Sequence, residues 1–221
     1  MGTITVNKLG GLSLILGPVF TLIFYFLQPG GALIDAADPA NAQASIAATL
    51  SNAGLAQLTG VLIPIGLLVM LAGILSLQRH VSSGGNGDAL ARYGVLFIFV
   101  ACLGWILGTG MGLAISGSDL PVAKAVPTFG SLYAAITGIG TVAGIFAGIG
   151  FLALSLAIST RDDYSKPFAL VAAAAAVVQI VVGVIGGVDS TQLQTMTTIT
   201  GIVYLIHTAF MITVGLKLMK Q

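Results

Sequence analysis

The sequence predicts an all-α fold: a polytopic integral membrane protein built as a six-transmembrane-helix bundle. Three observations carry that expectation. Six long apolar stretches run through the 221 residues, and none holds an Asp, Glu, Lys or Arg in its interior. Charged residues make up only 7% of the chain, where a soluble domain carries about 25%. Hydrophobic residues make up 57%, more uninterrupted apolar helix than anything but a membrane protein needs. No polar segment is long enough to form a soluble domain, so residues 1–221 are expected to form a single transmembrane domain.

The spans are expected at residues 9–27, 55–77, 90–115, 129–159, 168–188 and 195–218. A helix rises about 1.5 Å per residue, so about 20 residues cross the hydrocarbon core. The first stretch is full length and has no convincing small-residue cleavage site, so it is expected to be a helix rather than a signal peptide. The segment 28–54 follows, the longest connection in the chain. Asp38 and Pro39 resemble an N-cap and first helical position, and Ile46 and Leu50 share one face. A short amphipathic helix is expected there, lying on the membrane or over the mouth of the bundle.

The second span contains Pro64, which should kink it. Residues 81–88 (VSSGGNGD) read as a flexible loop ended by an N-cap at Asp88. The third span carries Gly104, Gly108 and Gly112 at four-residue spacing, with Trp105 among them. The fourth stretch is longer than a bilayer needs, so it must tilt or begin outside the core near Phe129 and Tyr133. It carries Gly140, Gly144 and Gly148. A polar turn at 161–166 leads to Pro167 and the fifth span, whose one strongly polar residue is Gln179. The sixth span opens on Ser190, Thr191, Gln192, Gln194, Thr195, Thr197, Thr198 and Thr200, and holds Tyr204 and His207 deeper in.

Orientation follows from the basic residues. Lys8, Arg79, Arg92, Arg161, Lys166, Lys217 and Lys220 fall on one side, and only Lys124 on the other. The positive-inside rule then places a multi-pass protein in the cell membrane with both termini cytoplasmic. The chain also reads as three tandem helical hairpins. Their second helices end alike, in Gly73-Ile-Leu-Ser-Leu, Gly150-Phe-Leu-Ala-Leu and Gly215-Leu-Lys-Leu.

Composition removes several function classes. A net charge of +1 gives no basic surface for nucleic acid. The single cysteine, Cys102, can form no internal disulfide. There is no paired carboxylate, CxxC, HExxH or phosphate-loop motif, so no catalytic residues, metal site or cofactor are expected, and an enzyme is the less favoured class.

Two patterns remain. Each glycine series exposes a strip of bare backbone. Its plainest use is tight helix packing, within the bundle, in self-association or against other membrane protein subunits. The other pattern is polar: His207, Gln179, Trp105, Tyr204 and Thr200 are the candidate ligand-binding residues. A mid-span imidazole must find a hydrogen-bond partner, and Gln179 is the expected one. The leading expectation is therefore a non-catalytic component or accessory subunit of a membrane assembly, with the lipid bilayer as its constant partner. The alternative is a carrier, channel or receptor for a small neutral or lipophilic molecule with a polar site near His207.

Overall fold

The computed structural model describes residues 4–82 and 87–221. They form seven α-helices and no strand: α1 (Val6–Phe26), α2 (Ala42–Ser51), α3 (Ala53–Ser82), α4 (Asp88–Ser116), α5 (Val122–Ser159), α6 (Lys166–Val188) and α7 (Leu193–Leu218), with a 3-10 turn at Ser190–Gln192. Six of these helices are long and apolar enough to cross a membrane, and α2 is the short exception. Of the loop expected at 81–88, residues 83–86 lie outside the described residues. Val81 and Ser82 belong to α3, and Asp88 is not a cap but the first residue of α4, behind Gly87 at φ 98°.

The long helices pack in chain order as a closed ring. α1 meets α3, α3 meets α4, and so on through α5, α6 and α7, and α7 returns to α1. One end of the ring gathers the start of α1 and the end of α7, Gly11 lying against Gly215 and Met219. We call it the terminal end. The segment 27–41, α2 and the turns before α5 and α7 lie at the other, the loop end.

Glycines set how closely the helices approach, above all in the terminal half. A Cβ on Gly73 would lie 2.7 Å from the Leu14 backbone nitrogen, and one on Gly215 only 2.6 Å from the Gly11 carbonyl oxygen. On α4 and α5 the pair is reciprocal: a Cβ on Gly94 would fall 2.8 Å from the Gly150 carbonyl oxygen, and the converse distance is also 2.8 Å. Lipid tails are as apolar as Leu, so helices in a bilayer gain little from burying apolar side chains; close backbone contact supplies dispersion instead. The remaining space in this half is filled by Leu14, Ile74, Leu77, Ile98, Leu154, Ile158 and Leu218, all fully buried. Apolar side chains on the outer faces stay exposed, Leu68, Leu107 and Val181 at about half of their surface, as expected of lipid-facing positions.

At the terminal end the turn between α5 and α6 ties three elements together. Asp163 lies 3.6 Å from His80 of α3 and 3.5 Å from Arg161, and accepts a bond from Gln221 at 3.4 Å. Desolvation opposes ionisation of this carboxyl, but the Arg161 charge together with hydrogen bonds from Arg161, the Asp163 backbone and His80 outweighs it and holds Asp163 below the usual carboxylate range.

The loop end departs from expectation in two places. α2 begins three residues later than Asp38-Pro39 suggested. Its cap is Asn41, whose side chain accepts from Ala44 N–H at 3.0 Å, while Asp38 closes a turn just before it by accepting from Ala40 N–H at 2.9 Å. And α5 begins at Val122 and runs 38 residues, about 57 Å at the standard rise and far more than a bilayer core needs. Its first turns pack α2: Ile46 and Ala125 are completely buried beside Ile115, with Phe129 and Tyr133 around them. The span expected from Phe129 is thus helical from Val122 onward.

The glycine contacts make opposite predictions for two pairs of sites. Gly73→Ala and Gly94→Ala should lower stability by roughly 1–3 kcal/mol through overpacking. Gly112→Ala and Gly140→Ala, whose Cβ atoms would meet nothing within 4 Å, should leave it unchanged or raise it by up to ~1 kcal/mol through helix propensity. Thermal unfolding in detergent distinguishes them, and equal losses at all four positions would contradict the packing described.

Candidate functional site

The loop-end half of the ring is not filled by side chains. It holds a partly open cavity of about 820 Å³ whose wall takes residues from all seven helices and from the segment 28–39. Roughly 300–1,000 Å³ is the usual range of small-molecule sites. Among the described residues no Asp, Glu, Lys or Arg lines it. Toward the terminal end it stops among Met70, Phe151, His207 and Met211. At the loop end the segment 28–39 covers it, held by the Tyr133 hydroxyl donating to the Pro39 carbonyl oxygen at 3.2 Å.

The cover is itself braced. Gly30 takes φ 80° and Asp35 φ 43°, both in the left-handed region. Gly30 N–H donates to the Ile34 carbonyl oxygen at 2.9 Å. The Asp35 carboxylate accepts from the Ser51 hydroxyl at 3.0 Å and from the Asn52 amide at 2.5 Å, clipping the segment to the end of α2.

All five ligand candidates from the sequence, Trp105, Gln179, Thr200, Tyr204 and His207, line this one cavity. His207 is 3% exposed. Its Nε2–H donates to the Ala172 carbonyl oxygen of α6 at 3.3 Å, and its ring stacks on Phe151 with centroids 4.2 Å apart and planes 13° apart. The expected pairing of His207 with Gln179 does not form. Gln179, 1% exposed, instead donates from Nε2 to the Gly144 carbonyl oxygen of α5 at 3.3 Å. Each polar side chain thus ties its helix to a neighbour through a backbone carbonyl that has a second lone pair to offer.

Tyr204 joins an aromatic trio across the ring. It meets Tyr25 of α1 edge-on at 5.5 Å and Trp105 of α4 at 5.7 Å, within the 4.5–7 Å range where such pairs gain roughly 0.5–1.5 kcal/mol. Because α4 and α7 are not neighbours in the ring, the Trp105–Tyr204 contact crosses its interior.

The glycine series divide between two settings. A Cβ on Gly104 would lie 2.9 Å from Ala143 Cβ, and one on Gly148 would lie 2.8 Å from Ile180 Cγ1. A Cβ on Gly144 would lie 3.3 Å from Gln179 Nε2, one on Gly108 would find only Ile136 at 3.9 Å, and Gly112 and Gly140 have nothing near. Five of the six, all but Gly148, line the cavity. Pro64 does not line it, although Gly60, one turn earlier on α3, does.

From the polar start of the sixth span, Gln194, Thr197, Thr198 and Thr200 line the cavity, while Ser190, Thr191, Gln192 and Thr195 do not. Asp189 holds the turn there, accepting from Thr191 N–H at 3.0 Å.

Sequence reasoning passed over Tyr25, Thr21, Thr109, Thr137 and Thr141, which also line the cavity. The available signal was threonine in otherwise apolar runs. Each of these threonines donates to a carbonyl of its own helix three or four residues earlier, at 2.9 to 3.1 Å, so it is tolerated in hydrocarbon and marks nothing by itself. Among the described residues no group of three or more His, Cys, Asp and Glu side chains comes together.

No family model, curated protein or solved structure matches this chain.

Replacing Gln179 or His207 singly by Leu should leave the fold intact, with stability changed by no more than about 1–2 kcal/mol. Each change removes a polar group with one unpaired atom and leaves a carbonyl still bonded within its helix. Circular dichroism and thermal unfolding check this; loss of the folded state in either variant would show that these tie-points hold the ring together.

Proposed function

We propose that this protein binds a small, uncharged, largely apolar molecule in its central cavity, as a carrier or receptor within a membrane. The observation that carries the reading is the convergence of Trp105, Gln179, Thr200, Tyr204 and His207 on one cavity, although they come from three helices and lie as far apart in sequence as positions 105 and 207. A mostly apolar wall with a few placed polar groups is the usual composition of a ligand site. A wall without an ionisable Asp, Glu, Lys or Arg disfavours an ionic ligand, whose charge would go uncompensated at low dielectric. The turn of five of the six series glycines toward the same space supports a role for them in making room. The distribution of Lys and Arg supports an orientation with the terminal end in the cytoplasm and the cavity nearer the outer face.

The other reading is a component of a larger membrane assembly. It rests on a shallow groove outside the ring, between α4 and α5, lined by Val100, Gly104, Gly138, Ile139, Val142 and Phe146. A helix of a partner could lie there. The stoichiometry of the purified particle separates the two readings.

The test is native mass spectrometry of protein purified from its own membrane in mild detergent, beside Gly140→Leu. Its leucine projects into the cavity from a position with no neighbour within 4 Å. The native chain should carry a small molecule at near one per chain and the variant about tenfold less, since filling the site removes its contacts. Equal occupancy in both would place any bound molecule elsewhere, and a stoichiometric protein partner with no small molecule would favour the assembly reading.

A further inference from the structure

We infer that the molecule held in the cavity is an uncharged lipophile bearing a hydrogen-bond donor, a hydroxyl or N–H head, which it presents to Gln179 and His207 after arriving from the bilayer between α1 and α7. The inference rests on the binding role proposed above and specifies its chemistry.

The donor requirement comes from two atoms. Among the described residues that line the cavity, only Gln179 Oε1 and His207 Nδ1 are buried side-chain polar atoms without a hydrogen-bond partner. Both can be assigned as acceptors. Gln179 holds its other terminal atom against the Gly144 carbonyl oxygen, and His207 holds Nε2 against that of Ala172. A carbonyl oxygen only accepts, so the atom facing it must be N–H in each case. That fixes the amide with its oxygen free; in the imidazole, held neutral because no carboxylate among the described residues lines the cavity to balance a charge, it leaves Nδ1 as a bare lone pair. Tyr204 lies beside Gln179 without closing a hydrogen bond to its oxygen. Neither atom offers surface to a water-sized probe, inside the cavity or outside it, so a donor head meets them only with a small turn of these two side chains; a buried acceptor left unpaired costs roughly 1–3 kcal/mol. The cavity threonines already bonded to their own helices make no comparable demand. The wall therefore lacks donors at one place, near its deep end.

The route follows from the shape of the α1–α7 seam. At the terminal end the two helices touch through Gly11 and Gly215. At the loop end a Cβ on Gly201 would still be 3.7 Å from the Phe26 ring, so a side-chain edge rather than backbone fills the seam there. The cavity continues past this point to Thr198, Ile202 and Leu205, spaced i, i+4 and i+7 on α7. Ile202 is 56% and Leu205 49% exposed, so these residues belong both to the cavity wall and to the lipid-facing surface. A cavity that reaches lipid-facing positions through an apolar seam suits a molecule already dissolved in the membrane.

Trp105 is the only tryptophan in the chain and lines the cavity, so its fluorescence reports occupancy. The experiment adds a bromine-labelled long-chain alcohol, or its methyl ether, to the full chain in lipid nanodiscs and measures quenching of Trp105. The two probes share a body and differ by one donor O–H. The expected result is saturable quenching, with the alcohol half-saturating at about a tenfold lower concentration than the ether, the ratio that one or two hydrogen bonds supply. In the Gln179→Leu, His207→Leu double variant both probes should still quench, but at the same concentration. Equal quenching by alcohol and ether in the native chain would overturn the donor requirement while leaving the binding role standing. Quenching by neither probe beyond that seen in Gly140→Leu would overturn the binding role as well.

Discussion

Close backbone contact between helices is the constraint on which the rest of this structure depends. In lipid no hydrophobic force pulls apolar helices together, so the ring must be held by short-range dispersion and a few hydrogen bonds. Gly73 against Leu14, Gly215 against Gly11, and Gly94 against Gly150 supply that contact in the terminal half. Where the glycines stop meeting backbone the interior changes character. On α4 the sequence passes from Gly94, in contact, through Gly104, against Ala143, to Gly112, which meets nothing. The same residue type thus closes one half of the ring and opens the other.

The open half is made tolerable by how its polar groups are handled. Thr21, Thr109, Thr137 and Thr141 bond to their own helices, Tyr25, Trp105 and Tyr204 lean on one another across the interior, and the segment 28–39 lies over the mouth. Among the described residues that line the space, only Gln179 and His207 keep a buried side-chain atom unpaired. Two such atoms in the same wall of an uncharged cavity form a cost that a bound donor would relieve, and this links the packing of the ring to the chemistry of the occupant we propose.

Much of the fold was legible in the sequence because its signals are local. Apolar runs free of Asp, Lys and Arg mark the helices that are long enough to cross a membrane, and Pro167 sits where α6 begins. The boundaries that misled were those where a local signal had two uses. Asp38-Pro39 has the form of a cap but closes a preceding turn, while Asn41 caps α2. The fourth span was expected from Phe129, yet α5 begins at Val122 and runs through Pro127 to reach α2. At the candidate site, five residues that line the cavity were picked out by polarity in an apolar context, but their partners were not. His207 bonds a carbonyl 35 positions away and so does Gln179, and the sequence carries no mark of which backbone oxygen will lie opposite. Nor can a four-residue glycine spacing say whether the strip will meet another helix or an empty space, since both need only the absence of a side chain.

The central claim is that a ring closed by glycine contacts at one end holds a neutral cavity at the other. The most direct measurement is an experimental structure of the full chain in lipid nanodiscs, at a resolution that shows side chains and bound molecules. The account predicts a continuous feature of density between Trp105, Tyr204, Gln179 and His207, with no charged side chain against it. Helices drawn together so that Gly112 and Gly140 meet neighbours, with side chains filling the space between Trp105 and His207, would contradict it.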